Sequence, residues 1–113
     1  MFLEVVKPYA SQYPDPIDFD SGASVLVGRE DPDCPGWFWC EASSGKQGWV
    51  HRSFLATSVG ATKSIDAYSA RELTVTGGER GVLIRSLDGW ALVRLDSGDE
   101  GWLPSSHVRP AAV

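Results

Sequence analysis

The side chains in this sequence that could carry chemistry fall into two sets, and their spacing decides between reaction and recognition. The first set is nucleophilic or metal-ligating: Cys34, Cys40, His51 and His107. A zinc site takes closely spaced ligand pairs, and the sequence holds neither a C-x-x-C nor an H-x-x-x-H pair. Cys40 with a histidine is the one conceivable nucleophile pair, and the alternation around Cys40 turns it toward a core. The acidic residues Asp15, Asp18, Asp20, Glu30, Asp31 and Asp33 lack the glycine-centred spacing of a calcium loop and read as a solvated face. Phosphate loops, dinucleotide glycine motifs and paired-carboxylate clefts are missing too. The expectation is a protein that is not an enzyme, with no cofactor and no metal.

The second set is aromatic and periodic. Gly36-Trp37, six residues, Ser44-Gly45, two residues, Gly48-Trp49 recurs 53 residues later as Gly89-Trp90, Ser97-Gly98 and Gly101-Trp102. Four of the five tryptophans and six of the twelve glycines lie on this template, which Ser53 and Ser106 extend. A repeat of this kind is the first thing a fold must satisfy.

Each copy reads as a strand, a Ser/Gly turn and a returning strand: Trp37 to Ala42 with Lys46 to Val50, and Trp90 to Leu95 with Glu100 to Leu103. Side chains alternate along a strand, so Val50 and Leu103 belong to cores while Trp49 and Trp102 point the other way. At least two tryptophans per copy are therefore expected on a partly exposed sheet face. Ahead of the hairpins, residues 2 to 9 suit a strand ending at Tyr9, a Pro-rich loop follows from Ala10 to Pro16, and Ser24 to Gly28 forms the next strand. The second copy starts at Ser64 to Tyr68 and continues through Leu73, Val75 and the strand Val82 to Arg85. Ser53 and Ser106 open single helical turns, where a hydroxyl caps backbone donors. Ala56 to Lys63, rich in small residues, reads as a linker. No segment carries ten residues of helical period. The chain is predicted to be all-β, with two tandem small barrels of five strands each, over residues 1–57 and 63–113.

Composition narrows the partners. The net charge of −5 argues against a phosphate backbone and against an anionic membrane surface. No run of eighteen apolar residues exists to span a bilayer, and residues 1–8 read as a strand and not as a signal peptide. Two cysteines make no disulfide framework, which fits a reducing, cytoplasmic setting.

The residues resemble the Src-homology-3 (SH3) domain in its bacterial form, arranged in tandem. Tyr9, Ile17, Phe19, Gly22, Trp37, Gly48 and Phe54 carry the resemblance in the first repeat. Tyr68, Leu73, Val75, Gly78, Trp90, Gly101, Pro104 and His107 carry it in the second, after a first loop three residues shorter. The resemblance implies a non-enzymatic adaptor that holds extended, proline-rich peptides between aromatic ridges, where flat rings offer contact area at little entropic loss. It implies a groove of Tyr9, Trp37 and Phe54 in the first repeat, with Trp49 beside Trp37, and with Tyr13 and Asp15 in its loop. In the second repeat it implies Tyr68, Trp90, Pro104 and His107, with Trp102 alongside and Glu72 as the carboxylate. The sequence departs from the family at Lys7 and Asp66, which replace the first strand's initial Tyr, at His51 in place of Pro, and at His107 in place of Tyr. The partner is expected to be a protein or peptide bound mainly through the first repeat, and the chain a monomer or homodimer. Two other readings stay open: an assembly module whose aromatic faces are buried between repeats or in a homodimer, and a Tudor-like cage for methylammonium groups.

Overall fold

The computed structural model describes residues 1–111 and is all-β, with no α-helix among them. In chain order its strands are β1 (Phe2–Val5), β2 (Asp18–Phe19), β3 (Ser24–Glu30), β4 (Trp37–Ala42), β5 (Gln47–His51), β6 (Gly60–Lys63), β7 (Tyr68–Ser69), β8 (Arg80–Leu87), β9 (Trp90–Leu95), β10 (Glu100–Pro104) and β11 (Val108–Pro110). Single 3-10 turns at Arg52–Phe54 and Ser105–His107 follow β5 and β10.

The duplicated hairpins form for the same reasons in both copies. Gly45 and Gly98 sit at φ 90° and φ 98°, a left-handed conformation that glycine adopts without strain. Their amides donate to Ala42 O at 2.9 Å and to Leu95 O at 2.8 Å, which closes each turn. Three residues on, Gly48 and Gly101 are needed for space: a Cβ on Gly48 would stand 2.7 Å from Ile17 Cγ2, and one on Gly101 would stand 2.9 Å from Arg71 O and 3.0 Å from Leu73 Cγ. The glycine before each second tryptophan thus lets the return of the first loop lie flat on the hairpin.

Two compact units result, and they do not follow the consecutive division of the repeats. One is continuous, Asp15–Ala70, and the other is split, Met1–Pro14 with Arg71–Val113. The continuous unit has a sheet in the order β5-β4-β3-β6, and β2 pairs with β7 through Asp18↔Ser69 and Phe19↔Tyr68. Its core holds Ile17, Val25, Val27, Cys40, Ala42, Val50, Phe54 and Leu55, of which Ile17 and Val50 are wholly buried. The split unit has a sheet in the order β10-β9-β8-β1-β11, wrapped on Leu3, Val5, Leu73, Val75, Ala91, Val93, Leu95 and Leu103.

The opening strand of each repeat therefore closes the sheet of the other. β1 lies between β8 and β11, with Glu4 opposite both Arg80 and Arg109. β6 lies on β3, with Ser24↔Lys63 and Val25↔Thr62 in register. Gly60–Lys63, expected as linker, is a strand because the backbone of β3 offers it a ladder that small side chains do not obstruct. Both middle strands carry a register shift, at Val27/Glu30 in β3 and at Leu83/Arg85 in β8, so the bend also repeats.

Candidate peptide groove

Tyr9 is pinned by backbone first. Its N–H donates to Val75 O at 3.0 Å and its carbonyl accepts from Val75 N at 2.8 Å, a bridge that fixes where the ring emerges. The ring then meets two others edge-on: the Trp90 indole at 6.2 Å and 80°, and the His107 imidazole at 5.5 Å and 84°. Trp90 opens β9 after the Asp88-Gly89 turn, opposite Pro104 at the end of β10. His107 closes the 3-10 turn that Pro104 precedes, and its carbonyl accepts from Val6 N at 2.8 Å. Tyr9, Trp90, Pro104 and His107 are all half-buried, so an apolar, ring-lined face is open to solvent in the split unit.

A carboxylate borders this face. Glu72 Oε1 accepts from the Tyr9 hydroxyl and from Gln12 N, both at 3.0 Å, while Thr74 Oγ1 accepts from Ser11 N at 3.0 Å. Residues 9–12 are thereby laid along the extended segment Glu72–Val75. Burial, reinforced by the neighbouring Glu72 charge, holds the Tyr9 phenol well above its usual range, so it stays a donor at physiological pH.

The same positions of the continuous unit are closed. Tyr68, Trp37, His51 and Phe54 are only 7%, 5%, 5% and 3% exposed. Tyr68 packs on Phe54 at 4.5 Å and on Phe19 at 5.7 Å, and Trp37 on His51 at 5.1 Å. Pro16 stands where the split unit has Glu72, and the Tyr68 hydroxyl donates instead to Trp49 O at 2.8 Å. His51 occupies the place of Pro104 and works as a cap: its Nδ1 accepts from Ser53 N at 3.2 Å.

The remaining residues of interest sit apart from these rings. Trp49 pairs across the strands with Trp39, centroids 5.1 Å apart, and the Arg29 guanidinium lies 5.5 Å from the Trp39 ring and 5.4 Å from the Trp49 ring. That is the half-buried tryptophan pair expected of the first copy. In the second copy Trp102 is only 4% exposed, contrary to expectation, because Arg71 to Leu73 runs along it: Trp102 N donates to Arg71 O at 2.9 Å and Leu73 N to Trp102 O at 3.1 Å. Tyr13 is 40% exposed, and Asp15 is an exposed partner of Lys46 at 3.3 Å. The association of Tyr9 with Trp90 and His107 was not readable from the spacing, which assigns each tyrosine to its own repeat. Cys40 is buried, and desolvation pushes its thiol up to about 11, so little thiolate exists at neutral pH.

These features define a class, the small SH3-like barrel with an aromatic face, a protein-interaction fold. Residues 4–57 match the family model described as variant SH3 domain, so the first repeat carries the sequence of that family. No curated protein and no solved structure matches the chain. No helix among the described residues is long and apolar enough to cross a membrane.

Proposed function

We propose that this protein is a non-catalytic interaction module that holds an extended, proline-rich segment of a partner protein across Tyr9, Trp90, Pro104 and His107. The observation that carries this reading is the contrast between the two units, with these four side chains half-open while Tyr68, Trp37, His51 and Phe54 are buried. A polyproline II ligand is a preformed prism with few donors, and rings set edge-on leave furrows that take its ridges. Glu72, at one end of the face, suits a ligand arginine or lysine. The groove thus takes its tyrosine from the first repeat and its other rings from the second.

A binding role and not an enzymatic one is supported by the family match and by the protonated, buried Cys40. The free thiols of Cys34 and Cys40 and the net charge of −5 favour a cytoplasmic protein partner over nucleic acid or membrane. A ligand face this small implies micromolar binding, about 8 kcal/mol. The test is a titration of the five indole resonances of the labelled protein with arginine-flanked proline-rich peptides. Shifts centred on Trp90 support the groove; an unmoved Trp90 with peptide in excess overturns it.

A further inference from the structure

The family match and the compact units cut the chain differently. The match runs through residues 4–57, yet the structure parts that span between Pro14 and Asp15 and gives its first strand to the split unit. We infer that the opening segments of the two repeats are differentiated by sequence so that each closes only the other repeat, which makes the exchanged closure the encoded one.

The basis is a register comparison. Leu3, Glu4 and Val5 align with Thr62, Lys63 and Ser64 at the constant offset of 59 that also aligns Tyr9 with Tyr68. The strands they join are equivalent too: Glu4↔Arg80 and Glu4↔Arg109 in one unit match Lys63↔Ser24 and the Ala56 N to Lys63 O bond of 2.9 Å in the other. Consecutive closure would simply interchange the two segments.

The interchange would cost charge pairing, apolar burial and hydrogen bonds. Glu4 now sits between two arginines, its Oε1 accepting from Arg109 Nη2 at 3.1 Å and Nε at 3.3 Å. Lys63 in that place would put three cations side by side, and like charges opposed across strands are destabilising. Lys63 instead donates to Ser24 Oγ at 2.7 Å. Leu3 and Val5, 2% and 1% exposed, fill the apolar core around Leu73 and Val93, where Thr62 and Ser64 would bury hydroxyls among hydrocarbon. Ser64, only 3% exposed, is satisfied where it is: its hydroxyl donates to Asp20 O at 2.6 Å and accepts from Ala23 N at 2.9 Å, bonds that Val5 could not make. Charge, apolar volume and hydrogen bonding thus select the same partner.

The test lets one position choose. Leu83 N donates to Met1 O, so Phe2↔Val82 is the adjacent non-hydrogen-bonded pair, with Cα atoms about 4.5 Å apart and within reach of a disulfide. In consecutive closure position 61 would face position 82 instead. The full chain carrying Cys34→Ser, Phe2→Cys, Ala61→Cys and Val82→Cys is equilibrated in a glutathione buffer at low protein concentration, and its disulfides are mapped by mass spectrometry. Exchanged closure yields the intramolecular 2–82 bond with at least tenfold less 61–82. Equal or greater 61–82 bonding overturns the inference, as does a 2–82 bond formed only between two copies. Adding Glu4→Lys with Lys63→Glu, which leaves the cores untouched, raises the 61–82 fraction severalfold; an unchanged ratio removes charge from the selection. Transposing Leu3 with Thr62 and Val5 with Ser64 as well moves the main bond to 61–82, and a folded variant that keeps 2–82 contradicts the code.

Discussion

Tyr9 and Trp90 stand edge-to-face with ring centroids 6.2 Å apart, although one ends the opening segment of the first repeat and the other starts the hairpin of the second. Neither ring could be placed by its own repeat. Tyr9 is held by Val75, Trp90 by the Asp88-Gly89 turn and its pairing with Pro104, so the furrow between them is a property of the split unit as a whole.

Trp90→Ala and Trp37→Ala are therefore expected to fail in different ways. Trp90 is half-exposed beside Tyr9 on the ring face, and its loss should weaken peptide binding by about 2 kcal/mol with little change in melting temperature. Trp37 is 5% exposed against His51, and its truncation should destabilise the fold by about 3 kcal/mol or more. Calorimetric titration and thermal melts of the two variants separate these effects, and equal loss of binding without loss of stability at Trp37 would count against the closed groove in the continuous unit.

Tyr9→Phe removes the hydroxyl that donates to Glu72, and should lower stability by about 1 kcal/mol. It should also change the alkaline limb. A phenol whose folded-state pKa is raised contributes stability that is complete below its ordinary value of about 10 and is lost as pH rises beyond it. The gap in melting temperature between wild type and variant should then narrow above about pH 10. A gap that widens there contradicts the buried, Glu72-bound phenol.

Gly48→Ala and Gly101→Ala test the contact that seats the loop return on each hairpin. The added Cβ meets Ile17 Cγ2 at 2.7 Å in one unit and Arg71 O at 2.9 Å in the other. Each should cost about 1–3 kcal/mol of stability in denaturant titrations. Gly101→Ala should also weaken peptide binding, because the residues its Cβ would press on, Arg71 and Leu73, flank Glu72; unaltered affinity would show that the carboxylate does not depend on this seat.

Acid should find Glu79. Its carboxylate accepts from Thr76 N at 2.8 Å and Gly77 N at 2.7 Å, and these bonds, that of Thr76 first, hold its pKa below the usual carboxylate range. A lowered folded-state pKa contributes stability that is present above the unfolded value and lost as pH falls through the folded one. Glu79→Gln should be less stable than wild type at pH 7, with the difference closing below about pH 4. Persistence of the full difference at pH 2 would refute the assignment.

Much of the fold was legible because its signals are local. The Trp-Ser-Gly-Gly-Trp spacing announced both hairpins, alternation placed Val50, Leu103 and Cys40 inside, and glycines at 45 and 98 marked the turns. The exchange was not legible by period, since the constant offset of 59 between Met1 to Tyr9 and Gly60 to Tyr68 shows that the two segments correspond but not which hairpin each one closes. Its signal lay in identities, Glu4 against Lys63 and Val5 against Ser64, which acquire meaning only once the opposing arginines and the Asp20 carbonyl are known. Trp102 escaped for a related reason: alternation gives the face of a strand but not whether another segment covers it. The same limit applied to the groove, where a pairing of Tyr9 with Trp37 and Phe54 and a pairing with Trp90 and His107 look alike in sequence.

The most direct measurement is a nuclear Overhauser spectrum of the assigned full-length protein in the aromatic region. Cross-peaks from the Tyr9 ring to the Trp90 indole and the His107 imidazole, with Tyr68 cross-peaks going to Phe54 and Phe19, are the predicted result. Tyr9 cross-peaks to Phe54 or Trp37, with Tyr68 reaching Trp90, would contradict a ligand face assembled from both repeats.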